Sequence, residues 1–194
     1  GERSWHGCTL GRVYVMSILA IDTAASRTSV VVIENGKVVF NEFRDGAMSH
    51  GPALPELVQA AIKSREITEV LVGMGPGPYT GLRVGITFAQ TFAWARNIPV
   101  RGFCSLDAIA AQVSEPDFIV AIDARRKEVY WARYTNGVRV EGPAVDLPAV
   151  VAARGIKVVS DLFPDPQFFT SLNIEVSEPI YLRRPDAVAT ADRK

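Results

Sequence analysis

Short solid apolar runs alternate along this chain with helical apolar stripes, the pattern of an α/β protein. Ile18-Leu-Ala-Ile21 is an unbroken apolar run closed by Asp22, which predicts a buried strand. Ser29-Val-Val-Val-Ile33 and Val38-Val-Phe40, separated by Asn35-Gly36, predict a hairpin with a tight turn. Leu54, Leu57, Val58, Ala61 and Ile62 recur at i, i+3, i+4, i+7 and i+8, one face of a helix over 52–64. Pro52 and Pro55 suit its first turn. Val70-Leu-Val72 predicts a second buried strand. A glycine- and proline-rich loop over 75–81 follows, then a helix over 81–96 with Thr80 as its N-cap. Asn97 and Pro99 stop that helix. Residues 99–103 predict a strand, and Ser105 is placed to cap a short helix reaching Gln112.

The first hairpin has a counterpart. Ile119-Val-Ala-Ile-Asp123, Tyr130-Trp-Ala-Arg-Tyr134, Asn136-Gly137 and Val138-Arg-Val140 repeat its order. Asp22 to Asp123 and Asn35 to Asn136 are both 101 residues apart. At that offset residues 18–39 and 119–140 share seven of 22 positions without a gap. Duplication explains this better than two unrelated hairpins. It divides the chain into an N-terminal lobe, 16–113, and a less regular, proline-broken C-terminal lobe, 114–182. Residues 1–15 have neither helical nor strand period, precede the first Met at Met16, and read as an added or misassigned leader; residues 183–194 read as a frayed polar tail.

Composition narrows the chemistry. Lys+Arg and Asp+Glu both number 21, so the net charge is zero, a poor start for gripping nucleic acid alone. The longest near-apolar run, Val13 to Ile21, is nine residues, far short of the roughly 20 of a membrane span. Two histidines, His6 and His50, and two cysteines, Cys8 and Cys104, leave no CxxC or HExxH pair. That is too few ligands for a structural zinc site of the usual Cys/His kind, and both thiols read as reduced. His50 reads as a helix-start or surface residue.

Met74 to Gly85 reads MGPGPYTGLRVG. It opens a helix, as phosphate loops do. No Gly-Lys-Ser/Thr follows, so it is not a Walker loop, and Gly81 arrives one residue late for the dinucleotide fingerprint. Pro76 and Pro78 remove two N–H donors that a phosphate cradle needs. A rigid turn and a direct ligand contact through the helix N-terminus and Arg83 both stay open. Twin strand-end aspartates, Asp22 and Asp123, are placed either to face one cleft between the lobes or to cap their own loops. With Thr23, Gly77, Thr80 and Arg83 they make the candidate nucleotide or ligand cleft. The following helix is apolar nearly all round, with Leu82, Ile86, Ala89 and Ala93 on one face and Val84, Phe88, Phe92 and Ala95 on another. Such a helix is buried on several sides, and one of them is completed either within the lobe or by a second protein.

Ile18-Leu-Ala-Ile-Asp-Thr23, Gly75-Pro-Gly-Pro-Tyr-Thr-Gly-Leu-Arg-Val-Gly85, Ala121-Ile-Asp-Ala-Arg125 with Glu128-Val-Tyr130, and Tyr181-Leu-Arg-Arg-Pro185 resemble the bacterial TsaB (YeaZ) family. The resemblance covers residues 16 to about 185. It implies an α/β fold of the actin/hexokinase-like (ribonuclease H-like) kind, two related lobes with the second one shortened. It implies a non-catalytic scaffolding and activating subunit of the complex that makes threonylcarbamoyladenosine in tRNA. The implied partners are a TsaD-like catalytic subunit and a TsaE-like ATPase, with homodimers when the chain is alone, tRNA met only through the complex, and no membrane. The catalytic relative carries a His-x-x-x-His metal pair where this chain has Ser105-Leu-Asp-Ala-Ile109, so the glycoprotease label attached to the family is not supported. No cofactor of its own is implied; the resemblance allows ATP or ADP with Mg at the level of the complex, and a cytoplasmic location. The interface candidates are Leu54, Leu57, Val58, Ala61, Phe88 and Phe92. The competing expectation is an active actin/hexokinase-like ATPase or small-molecule kinase using Asp22, Thr23 and Asp123 around Mg-ATP.

Overall fold

The computed structural model describes residues 15–46, 49–172 and 175–183. The expected leader, apart from Val15, and residues 184–194 of the expected tail lie outside the described residues.

The chain runs β1 (Ser17–Asp22), β2 (Arg27–Glu34), β3 (Lys37–Asp45), α1 (His50–Ile62), β4 (Glu69–Gly73), α2 (Tyr79–Arg96), β5 (Val100–Phe103) and α3 (Ser105–Ala110). It continues with β6 (Asp117–Asp123), β7 (Val129–Thr135), β8 (Val138–Asp146), α4 (Pro148–Ala152), β9 (Val158–Val159) and a 3-10 turn over Pro166–Ser171. The first sheet has the order β3-β2-β1-β4-β5, antiparallel through the β1–β2–β3 meander and parallel across β1, β4 and β5. The second repeats this plan as β8-β7-β6-β9, with β9 reduced to two residues and, among the described residues, no fifth strand. Two sheets of one topology, the second abbreviated, make the mixed α/β fold of the actin/hexokinase-like class.

The duplication is physical as well as sequential. Asn35 and Asn136 both have φ 49°, and Gly36 and Gly137 both have φ 77°. Two successive left-handed residues are what a two-residue hairpin of the primed type needs. The ladder slips between Val32 and Ile33 in one hairpin and between Arg133 and Tyr134 in the other, again 101 residues on. Val39 and Val140 are the extra residues at the two bulges.

One element breaks the offset. In the first lobe Asp22 pairs with Ser29. The residue 101 after Ser29 is Tyr130, and its partner is Ile122, not Asp123. Strand β6 is therefore displaced by one residue against β7, and a one-residue slip turns every side chain to the other face.

Alternate faces of each sheet fill different cores. Leu19, Ile21, Val70 and Val72 pack under α1 and α2. Ile18, Ala20 and Leu71 face the other way, against Phe103, Ala108 of α3 and Phe169. Helix α3 gives its other side, Leu106, Ile109 and Ala110, to Phe118, Val120 and Ile122 of β6. It thus lies between the sheets and joins the lobes. Ile119 and Ala121 face outward to Trp131 and Val151 of α4.

Two helix starts differ from expectation. Helix α2 begins at Tyr79 with Pro78 before it and has no side-chain cap; Thr80 is exposed. Helix α3 ends at Ala110 rather than Gln112, and the Ser105 hydroxyl reaches out of the helix instead of capping it. The stop of α2 is as the sequence indicates. Asn97 sits at φ 53°, and its N–H bonds the carbonyls of Ala93 and Trp94. Asn97→Val should cost about 1–2 kcal/mol in a urea titration, because a β-branched residue resists that conformation, whereas Asn97→Gly should cost nothing.

Candidate functional site

Asp22 closes β1 and is 4% exposed. Its Oδ1 accepts the Ala24 N–H at 2.8 Å and its Oδ2 accepts the Ser105 hydroxyl at 2.6 Å. Burial pushes this carboxyl above its usual value of 3.8, against the pull of those two bonds. Next to it, the buried Thr23 hydroxyl donates to the Gly81 carbonyl at 2.8 Å. The tip of the β1–β2 connection is thereby clamped between the first turn of α2 and the start of α3.

The glycines of the loop make that clamp possible. A methyl group on Gly77 would stand 2.3 Å from the Ala24 carbonyl oxygen, and one on Gly85 would stand 2.3 Å from the Thr23 hydroxyl. On Gly81 it would meet the Thr23 carbonyl at 2.9 Å, and on Gly73 the Asp22 carboxylate at 2.2 Å. Gly75, with φ 98°, turns the chain and offers its carbonyl to the Ser105 N–H. Each glycine of the motif is pressed against the chain's own backbone or side chains. Gly75, Pro76 and Gly77 are all buried. The loop is a packing device here, and the space a phosphate needs is occupied by residues 22–24.

The six expected cleft residues divide accordingly. Asp22, Thr23 and Gly77 come together, but in the interior. Thr80 and Arg83 lie on the outer side of α2, where the Arg83 Nη1 donates to the Tyr79 hydroxyl at 3.0 Å. Asp123 is the clear departure. It is exposed, shares the outward face of β6 with Ile119 and Ala121, and accepts the Arg125 N–H at 2.8 Å. The register slip of β6 explains why the twin aspartates do not face each other: the position structurally matched to Asp22 is held by Ile122.

The interface candidates also need correction. Leu54, Leu57, Val58 and Ala61 are at most 3% exposed and Phe92 is 8% exposed, all inside the first lobe's core. Phe88 is half-buried and packs against the same core, with its ring 6.1 Å from that of Phe92. The stripe that marks a helix face as buried is satisfied within the lobe.

The sequence undervalued three residues. Ser105 holds Asp22. Thr28 and His50 form a buried pair, Oγ1 to Nδ1 at 2.7 Å, beneath the start of α2. His50 begins α1 as expected, but at 4% exposed it is not a surface residue. Burial first, then the charge of Arg125, holds its imidazole below the usual 6.5. The folded state therefore favours the neutral ring, and its contribution, present above pH 6.5, is lost as pH falls through the folded value. Thermal unfolding should show a drop in Tm between pH 7 and pH 5 that is smaller in His50→Gln.

The open space between the lobes lies elsewhere. A cavity of about 330 Å³ runs between Ala25-Ser26 of the β1–β2 connection, Asp123 and Lys127 to Val129 of the β6–β7 connection, and residues 160–163. Arg125, Arg126 and Lys127 of the β6–β7 connection all have positive φ, 61°, 55° and 63°. At one end Arg27 is stacked between the rings of Phe43 and Phe163, 3.7 and 3.9 Å from their centroids, and paired with Asp45 at 2.8 Å. Behind the loop, residues 175–183 cross back over the first lobe. Val176 bonds Gly102, Ile180 bonds Met74, and the Tyr181 ring lies 5.0 Å from that of Tyr79. Arg183 donates to the Ala124 carbonyl at 3.0 Å and pairs with Glu128, so this residue of the expected tail is anchored. Among the described residues no group of three or more His, Cys, Asp or Glu could hold a metal ion, and no helix is long and apolar enough to cross a membrane.

Known proteins share these features. Residues 49–181 match the family model described as TsaD, tRNA N6-adenosine threonylcarbamoyltransferase. An uncharacterized protein of Mycobacterium tuberculosis is 38% identical over 92% of this chain and 97% of its own length. The tRNA threonylcarbamoyladenosine biosynthesis protein TsaB of Escherichia coli is 34% identical over 72% of this chain, which spans 66% of that protein. A crystal structure from Pseudomonas aeruginosa, described as similar to peptidase YeaZ, superimposes with a TM-score of 0.71 over 87% of this chain and 100% of its own, at 22% identity, a likeness of fold. The chain belongs to the TsaB (YeaZ) family.

Proposed function

We propose that this chain acts in tRNA threonylcarbamoyladenosine biosynthesis as a non-catalytic scaffolding subunit that docks and activates a TsaD-like catalytic subunit. One observation carries the reading: the glycine-rich loop is filled by residues 22–24 of the chain itself. A loop used that way builds a rigid lobe and leaves no cradle for a substrate phosphate. The TsaB name of the E. coli relative supplies the pathway.

The docking surface moves outward from the residues the periodicity selects. Trp94 on α2 is 84% exposed, with Thr87 and Thr91 on the same side and the half-buried Phe88 one and a half turns away. Gln59 and Ala60 are exposed on the neighbouring α1. A tryptophan left this open on a short-side-chain helix face is a strong anchor for a partner. The same patch serves a homodimer when the catalytic subunit is absent. A TsaE-like ATPase, ATP or ADP with Mg, and tRNA join at the level of the complex, in the cytoplasm. Zero net charge fits a division of labour in which the partners carry the cationic grip on tRNA. Trp94→Asp should leave thermal unfolding within a degree or two of wild type and weaken co-purification with the TsaD-like subunit at least tenfold. Leu57→Asp, by contrast, should unfold the lobe.

A second reading has its own support in the interlobe cavity. Ser26, Asp123 and Lys127 line it, a hydroxyl, a carboxylate and an ammonium suited to a phosphate and its cation. An ATPase or small-molecule kinase would use this cavity rather than Asp22. Calorimetry with Mg-ATP separates the readings: micromolar binding and turnover by the isolated chain favour the enzyme, and neither favours the scaffold.

A further inference from the structure

The two lobes share a clamp at the surface. Arg27 opens β2 in the first lobe, and its guanidinium lies between the ring of Phe43 on β3, at 3.7 Å, and that of Phe163, at 3.9 Å. Its Nε and Nη2 donate to Asp45 Oδ1 at 2.8 Å and Oδ2 at 3.2 Å. Arg27, Phe43 and Asp45 belong to the first sheet. Phe163 is held from the other side. Leu162 before it packs in the core of β6 and β7, and the Phe163 carbonyl accepts the Gln112 Nε2 at 2.8 Å. The Asp45 side chain is 62% exposed and Phe43 is 45% exposed. This clamp can therefore part without opening a core, unlike α3, which is buried in the cores on both of its sides.

The interlobe cavity adds an independent observation. Ser26, next to Arg27, and Phe163 both line it, one from each lobe. Seven of the described residues other than glycine have positive φ. Three are asparagines, at the two hairpin turns and the end of α2, where their short amides suit the left-handed conformation. The other four are Arg125, Arg126, Lys127 and Asp161. Lys127 and Asp161 line the same cavity, so both second-lobe connections that reach it carry backbone strain. The first of them is gripped from the first-lobe side. Ile180 of the returning segment bonds Met74, and Arg183 of that segment donates to the Ala124 carbonyl at 3.0 Å.

We propose that Arg27 is the catch of an interlobe latch, which holds Phe163 against the first sheet and keeps the cavity closed over the strained β6–β7 connection. Two opposed elements meet there. The stacked guanidinium favours the closed arrangement, and the left-handed residues favour release. Parting the clamp lets the lobes turn about α3, relaxes the connection and opens the cavity mouth. The device does not depend on what enters the cavity.

Distances between nitroxide labels on Asn41→Cys of β3 and Ala149→Cys of α4, both exposed positions, test this in a Cys8→Ser background. Cys104 is fully buried and takes no label. The unaltered latch should give one narrow distance with at most a minor longer one. Arg27→Ala should raise the longer population about fivefold or more. Phe163→Leu, which keeps an apolar side chain and loses the aromatic face, should act in the same direction and carries the test if Arg27→Ala does not fold. Lys127→Gly adopts the left-handed conformation without strain, so adding it to Arg27→Ala should return the distances towards the closed value. Distances unchanged in the folded latch variants would overturn the proposal, and so would an opening that Lys127→Gly leaves as it was.

Discussion

Gly77→Ala should remove most of the folded protein at 37 °C. Its new methyl would stand 2.3 Å from the Ala24 carbonyl oxygen and 2.9 Å from the Ala24 carbonyl carbon and Cα. All three are backbone atoms, so no side-chain rotation relieves the overlap. The β1–β2 connection must move away from α2, which pulls on Asp22 and Thr23 together. We expect a loss of about 3 kcal/mol, at the upper end for overpacking. Gly36→Ala is the matched control. It has φ 77° but nothing within 4 Å of the added carbon, so it should cost only the left-handed penalty of about 1 kcal/mol. Urea titrations of both variants compare the two costs. Were the two equal, the loop would not be packed as described, and a ligand cradle would regain its place.

The second large effect is at Asp22. Asp22→Ala strands the Ala24 N–H and the Ser105 hydroxyl in the interior, at a cost of about 3 kcal/mol. Asp22→Asn should be tolerated. Its amide oxygen still accepts from Ala24, and its NH₂ donates to Ser105, whose oxygen accepts. Because burial raises this carboxyl in the folded state, folding favours the protonated form. That preference stabilises the fold below pH 3.8 and fades as pH climbs through the higher folded value. Asp22→Asn should therefore flatten the stability–pH curve in that window. An enzyme that used Asp22 around Mg-ATP would behave differently, since Asn there would keep the fold and lose turnover.

These two positions show what the sequence made legible. The 101-residue offset located both hairpins and their Asn-Gly turns, because a turn and its register are local properties; the matching bulges emerged only in the structure. It failed at β6, where one residue of slip left the sequence match intact and reversed the facing of Asp123. Strand facing is set by pairing with β7 and by the packing of α3, which sequence spacing does not encode. The apolar stripe of α1 marks a helix face that must be covered. Periodicity cannot say whether a stripe is covered by its own lobe or by another chain, and Leu54, Leu57, Val58 and Ala61 are covered by their own. Trp94 carried the opposite signal, an apolar residue off the stripe. The glycines of residues 75–85 were legible as a shaped turn, but the backbone of residues 23–24 that Gly77 and Gly81 approach is more than 50 positions away.

The scaffold reading is tested most directly by tRNA modification reconstituted from TsaD-like and TsaE-like subunits. Labelled threonine incorporated into tRNA would be measured with no added chain, with the wild-type chain and with Trp94→Asp. We predict little product without the chain, full product with wild type, and no recovery with folded Trp94→Asp. Undiminished product in the absence of the chain would contradict the account.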